Sequence, residues 1–366
     1  MLCTLALLAC AREVPQQAPA LLHVSQGEPT METRSVTPAA SPEEQEPPPA
    51  NASLSLSTSA NGQVQALSLL VQWGESIWYW SEPFSPSSPE VHRITGTGRA
   101  HFLDRHCLID ETGRYGCIRL DESDGVARPI FTPWSDDGWN GAKSLAVHYE
   151  QGAMFRIDEN HALQKGLYDP PLLPAVEQFC AHDERRACAV QSDGGVACVR
   201  HDSDSQPTRF QVPALEDATQ VACSALSLCA RLNDGTISCL GDVVGDPIHH
   251  HGLAYRHLPQ TSATAIAGVE GAVDLVGYHQ MFCAVVPSEG LLCWGQGVGL
   301  EQIDRPLGIP RTTPFVIPFA HAHRVAIDGD AVCALGTNAT VECWARNPSW
   351  HHHGEPIHVR LEILQR

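Results

Sequence analysis

Residues 283–295 read CAVVPSEGLLCWG, and the two cysteines, Cys283 and Cys293, stand ten residues apart. An apolar, β-prone stretch lies on either side of Gly290. Two short strands around a glycine-bearing loop make a β-hairpin. Residues equidistant from such a turn face each other across the strands, with Cβ atoms about 4.5–5.5 Å apart. A disulfide prefers about 3.8 Å, so mild local twist closes the gap. The spacing therefore predicts a cross-strand bridge, Cys283–Cys293.

The same spacing recurs at Cys107 and Cys117, Cys188 and Cys198, Cys229 and Cys239, and Cys333 and Cys343. Gly113, Gly194 and Gly235 serve three of these turns. The last copy, CALGTNATVEC at 333–343, has no such glycine, and Asn338 is expected to take the left-handed conformation there. Closing so short a loop stabilises by about 3 kcal/mol per bridge in the chain-entropy description.

Two further segments fit the frame without cysteine. In LSLLVQWGESIW (67–78), Leu67 and Ile77 take the cysteine positions around Gly74; in LAVHYEQGAMF (145–155), Leu145 and Phe155 do so around Gly152. The hairpins then begin at 67, 107, 145, 188, 229, 283 and 333, giving seven units. Units of about 40–50 residues with several short strands read as propeller blades. The expected fold is all-β, a seven-bladed β-propeller with four-stranded blades over residues 62–366; an all-β sandwich or solenoid is the alternative. Cys180 and Cys223 are left over, one before each of two successive hairpins. They pair with each other, or exchange with the neighbouring hairpin cysteines.

The N-terminus has a different character. Residues 1–10, MLCTLALLAC, are apolar and end in Cys10. They resemble a bacterial lipobox, whose cysteine is lipidated; no basic stretch precedes the apolar run, and a clipped ordinary signal peptide is the alternative. Residues 11–60 contain eight Pro, many Ser, Glu and Gln, and no aromatic residue. Such composition buries too little apolar surface to offset chain entropy, so a disordered linker is expected. The chain as a whole holds 366 residues, 14 Cys and a formal net charge of -19, with no basic run. That excludes a nucleic-acid partner, whose phosphates need clustered Lys and Arg, and it leaves the membrane to a lipid anchor.

At Cys283-Ala284-Val285, Gly290, Leu291, Cys293-Trp294-Gly295, Gly297 and Gly299 the chain resembles the regulator of chromosome condensation repeat family. Further copies are Cys333-Ala334-Leu335 with Cys343-Trp344, and Ile77-Trp78; Cys188-Ala189-Val190 and Cys229-Ala230-Arg231 keep the opening but carry Val199 and Leu240 in place of Trp. The resemblance covers about residues 62–366 and implies seven four-stranded blades around a channel. It also implies that residues 356–361 return to complete the first blade, leaving no free edge. The family's founding member promotes nucleotide exchange on a small GTPase and binds chromatin, roles that do not suit an acidic, exported chain; Cys-rich relatives resemble bacterial surface or secreted proteins, some of which bind other proteins.

Candidate site residues are few. The triplets His249-His250-His251 and His351-His352-His353 follow the fifth and seventh hairpins. Alternate residues of an extended segment share a face, so His249 with His251, or His351 with His353, are metal candidates, with His257 or His358 as a third ligand; solvated loops are the other reading. Asp-rich loops at 121–125, 136–138 and 202–204 lack calcium-loop spacing, and Gly295 to Gly299 lacks the helix a phosphate loop requires. No nucleophile motif is present, and no cofactor is assigned. Trp134, Trp139 and Trp350 are the binding candidates, with packing under their own loops as the alternative. The chain is thus expected to be a non-enzymatic, monomeric cell-envelope scaffold, an outer-membrane lipoprotein that recognises a protein or glycan through one rim. An enzyme with a channel site and a metal-linked envelope protein are the alternatives.

Overall fold

A computed structural model describes residues 52–57, 68–81, 90–94, 100–104, 107–121, 128–133, 141–147, 154–166, 170–183, 185–200, 206–224, 227–241, 263–278, 281–295, 313–319, 321–328, 331–345 and 357–363. One compact unit spans Gln45–Arg366. Its strands form seven antiparallel sheets, the blades. Blade one is β1 (Ser53–Ser57), β2 (Ser68–Trp73), β3 (Ser76–Ser81) and β4 (Glu90–Ile94). Blade two is β5 (Ala100–Asp104), β6 (Cys107–Asp110), β7 (Tyr115–Asp121) and β8 (Arg128–Pro133); blade three is β9 (Ser144–Val147), β10 (Met154–Ile157) and β11 (Leu163–Lys165). Blade four is β12 (Val176–Asp183), β13 (Arg186–Gln191), β14 (Val196–Arg200) and β15 (Thr208–Gln211). Blade five is β16 (Ala218–Cys223), β17 (Ser227–Leu232), β18 (Ile237–Gly241) and β19 (Thr264–Ala265). Blade six is β20 (Asp274–Tyr278), β21 (Met281–Val286), β22 (Gly290–Gly295) and β23 (Phe315–Ile317); blade seven is β24 (Ala322–Asp328), β25 (Ala331–Gly336), β26 (Thr340–Ala345) and β27 (Ile357–Glu362).

The first strands touch in cyclic order, β1 to β5, β9, β12, β16, β20, β24 and back to β1. This is a seven-bladed propeller, as the hairpin count predicts. Blade three shows three strands among the described residues. Beside β11, Leu173 bridges to Leu163 where the other blades have a fourth strand.

Cores lie between blades, because each sheet buries both faces. Cys283, Val285, Leu291, Cys293 and Ile317 of blade six pack on Val325, Val332, Ala334 and Trp344 of blade seven. Fully burying a side chain of this size stabilises by about 1.5–3 kcal/mol. The hairpin cysteines belong to these cores: Cys229 and Cys239 pack against blade six, Cys333 and Cys343 against blade one. Six cysteine pairs stand at disulfide distance, with sulfurs 2.05–2.12 Å apart: the five hairpin pairs and Cys180 with Cys223. The hairpin pairs are directly opposed, with Cα atoms 3.9–4.1 Å apart. Cys3 and Cys10 lie outside the described residues.

Four expectations need correction. First, the linker does not run to residue 60: Ser53–Ser57 is the innermost strand of blade one and pairs with Ser68–Gln72. Its alternating Ser-Leu pattern is strand periodicity, which the polar composition masks. Second, the C-terminal strand does not return to blade one. β27 pairs with β26 in its own blade, since β1 already fills the first blade's inner place. The ring closes by packing, with Ala52 and Leu54 against Leu335, Val341 and Ile363. Third, the cysteine-free frames shift. In blade one Ile77 opposes Gln72, and the slot facing blade two is filled by Leu70 opposite Tyr79. In blade three Leu145 opposes Arg156 on the inner strand pair, while the hairpin matching the cysteine frame is Phe155 opposite Lys165. Fourth, the left-handed residue of the last hairpin is Ala339 (φ 60°), not Asn338. The Asn338 side chain instead accepts the Thr340 backbone N–H at 3.3 Å, capping the turn from the position before the left-handed residue.

Candidate functional site

Polar residues on the first strands of blades four to seven occupy one repeated position. Gln178, Gln220, Asp274 and Arg324 each oppose the residue two after a hairpin's first cysteine: Val190, Arg231, Val285 and Leu335. Each reaches to the first strand of the next blade, or for Arg324 to Ala52 just before it. Gln178 accepts the Val221 N–H at 2.7 Å and donates to the Val221 carbonyl at 3.1 Å. Gln220 donates to the Leu275 carbonyl at 2.9 Å and to Asp274 Oδ1 at 3.1 Å. Asp274 Oδ2 accepts the Val325 N–H at 3.0 Å, and Arg324 Nε donates to the Ala52 carbonyl at 3.3 Å. The row clasps blade four to five, five to six, six to seven, and seven to one. In blades four, five and seven a register shift just before this residue turns the side chain toward its neighbour.

Around Asp274 the clasp becomes basic. Arg231 Nε donates to Gln220 Oε1 at 3.3 Å, and His323 precedes Arg324 on β24. Burial pushes the Arg231 guanidinium below its ordinary range, with Asp274 opposing and Arg324 adding to the shift. Burial likewise lowers the His323 imidazole, followed by Arg324, against the pull of Asp274. Asp274 is 8% exposed and has both oxygens engaged, so it acts as a structural acceptor rather than a free base.

Just beyond these pairs, at the same end of the strands, the hairpin turns knit blades together through backbone. Ala218 donates to the Gly194 carbonyl and Ala272 to the Gly235 carbonyl, at 2.9 and 3.1 Å. Blade three uses His161 at φ 59° where blade two has Gly113 at φ 81°. Asp158 and Asp110 cap the two turns alike, accepting N–H groups of Asn160 and Ala162, and of Thr112 and Arg114.

Of the residues singled out in the sequence, His249, His251, His257, His351, His353, Trp134, Trp139 and Trp350 lie outside the described residues. His358 is described: its ring stacks on Trp344 with centroids 4.8 Å apart, and Nε2 lies 3.0 Å from Glu342 Oε2. Among the described residues no three His, Cys, Asp or Glu are grouped to hold a metal, and no helix is long and apolar enough to cross a membrane. The clasp row was not foreseen. Its signal is a polar residue nine or ten positions before the first cysteine of blades four to seven, which needs the register to interpret.

No family model matches the chain, and no curated protein matches it. Among solved structures it is similar to yeast RCC1 (Prp20) bound to Kap60, at 15% identity and TM-score 0.46, over 69% of this chain and 71% of that one. It is also similar to Prp20p from Saccharomyces cerevisiae, at 16% identity and TM-score 0.44, over 65% of each chain. A third is PorZ, a bacterial surface component of the type-IX secretion system of Porphyromonas gingivalis, at 8% identity and TM-score 0.47, over 81% of this chain and 37% of PorZ. All three scores fall below 0.5, and the fold rests on the sheets and their cyclic order.

Proposed function

We propose that the chain is an exported, envelope-tethered binding scaffold of the regulator of chromosome condensation repeat type, without catalytic activity. One observation carries this reading: the polar side chains repeated on the first strands of blades four to seven are bound to their neighbours rather than held free. A catalytic acid or base must be able to exchange its proton with substrate. Asp274, with both oxygens engaged by the protein, is poorly placed to do so. Recognition then falls to the connections between third and fourth strands, residues 242–263, 296–314 and 346–356, which hold both His triplets and Trp350. Variable connections on a rigid body are the usual seat of binding.

The six cysteine pairs are read as closed bridges, which fits an oxidising compartment. Cys10 is read as the lipidated residue of an outer-membrane lipoprotein, the body acting as a monomer on a protein or glycan. The test is affinity capture from native envelope with the wild-type body, a Trp350→Ala variant and a Trp134→Ala/Trp139→Ala variant. A partner lost with one rim and kept with the other supports the scaffold. A turnover activity abolished by Asp274→Asn in a stably folded protein refutes it.

A further inference from the structure

In blade four, three cysteines sit side by side on adjacent strands. Cys180 of β12 opposes Cys188 of β13, which opposes Cys198 of β14. Cys180 is also at bonding distance from Cys223, on the first strand of blade five, with sulfurs 2.07 Å apart. Cys188, Cys198 and Cys223 share one buried cluster, and Cys180 packs against it. The other four pairs described stand singly, each within its own blade. Among the described residues only here do two such pairs meet, and one of them joins blades.

Three of these residues also line a small cleft. It is lined by Cys188, Cys198, Cys223 and Phe210, with Arg186 and Arg200 at its sides. The two arginines oppose each other on β13 and β14. A neighbouring guanidinium favours the thiolate over the thiol, which both attracts an anionic thiol and stabilises a leaving sulfur.

We propose that Cys180, Cys188, Cys198 and Cys223 form a thiol-exchange site for a small anionic thiol. This rests on the reading of the pairs as closed bridges. The incoming thiolate attacks the Sγ of Cys223, a residue that is 7% exposed and lines the cleft. A sulfur–sulfur bond forms between the thiol and Cys223, the Cys180–Cys223 bond breaks, and its electron pair leaves on Cys180. Opposed strand positions place Cys188 within reach of that thiolate. Cys180 attacks Cys188 Sγ, the Cys188–Cys198 bond breaks, and Cys198 departs as a thiolate into the arginine-flanked cleft. One external thiol is consumed as a mixed disulfide and one protein thiolate appears. The covalent tie between blades four and five becomes a tie within blade four.

The experiment uses the folded full chain and reduced glutathione. After native incubation the protein is acid-quenched, alkylated, digested without reductant and mapped by mass spectrometry. The expected products are glutathione on Cys223, a Cys180–Cys188 cross-linked peptide and an alkylated Cys198. Alkylation of the eight cysteines in the other blades should be about tenfold lower. In the Cys188→Ala/Cys198→Ala variant the alkyl group should stay on Cys180. Free thiols at these four positions before glutathione is added overturn the closed-bridge reading, and this proposal with it. A fully bridged start that yields no reaction, uniform reduction of all six pairs, or alkylation of Cys180 in the unsubstituted chain overturns the exchange alone.

Discussion

Gln220 Nε2 donates to Asp274 Oδ1 across 3.1 Å, and so ties the first strand of blade five to that of blade six. Asp274 passes the tie onward, since its other oxygen accepts the Val325 N–H of blade seven at 3.0 Å. Asp274→Ala leaves the buried Val325 N–H without its acceptor and removes one of the two acceptors of the Gln220 amide, which keeps the Leu275 carbonyl. The expected loss is about 2–3 kcal/mol in urea unfolding. Asp274→Asn keeps one carbonyl acceptor and should lose less. Equal, negligible losses for both would show that the clasp is not part of the stability of the ring.

Glycine substitutions separate backbone strain from crowding. Gly74 has φ +61°, and a Cβ there meets nothing within 4 Å. Gly74→Ala should cost about 1 kcal/mol, the left-handed penalty alone. Gly235 has φ +79°, and its Cβ would lie 2.8 Å from the Gly271 Cα, a backbone atom of the next turn. Gly235→Ala should therefore cost clearly more, about 3 kcal/mol, with a correspondingly larger fall in Tm.

Asp110 should make blade two sensitive to acid. Burial pushes the Asp110 carboxyl up, but the hydrogen bonds from Thr112 and Arg114 together outweigh it and hold the group below its ordinary value. Those bonds include Thr112 Oγ1 at 2.6 Å and Arg114 Nε at 2.7 Å. A depressed folded-state value means stability that is present above the unfolded carboxylate range and lost as pH falls through the folded one. Asp110→Asn should lower stability at neutral pH and flatten its decline below about pH 4. Parallel pH profiles for the two proteins would contradict this assignment.

Truncation tests the inner strand of blade one. Removing residues 1–44 takes nothing from the compact unit and should leave Tm unchanged. Removing residues 1–60 deletes β1 and with it Ala52 and Leu54 from the core shared with blade seven. That protein should aggregate or melt well below the shorter truncation; identical melting would argue that β1 is dispensable.

The hairpin count was legible because the cysteines mark the second and third strands at a fixed spacing, and the spacing follows directly from antiparallel pairing. Where cysteine is absent the frame slipped. In blade three Gly152 has the look of a hairpin turn, although the turn that matches the cysteine frame carries His161. The tripeptide Ile157-Asp158-Glu159 repeats Ile109-Asp110-Glu111 of blade two and would have aligned the two hairpins. Blade one's two-residue turn at Gly74-Glu75 shortens the frame, so no ten-residue pair exists there. Strand β1 was hidden by serine-rich composition, and the clasp row by its dependence on register. The cluster of four cysteines was half visible, in that Cys180 and Cys223 stood out as unpaired by the hairpin rule.

The central claim is that opposed strand positions are covalently locked in five blades and that one further bridge spans two. Proteolytic mapping of the native chain under non-reducing conditions tests it most directly. The account predicts six cross-linked peptides, Cys107–Cys117, Cys188–Cys198, Cys229–Cys239, Cys283–Cys293, Cys333–Cys343 and Cys180–Cys223, with none of these twelve cysteines alkylated. Free thiols throughout, or hairpin cysteines linked to cysteines of other hairpins, would contradict it.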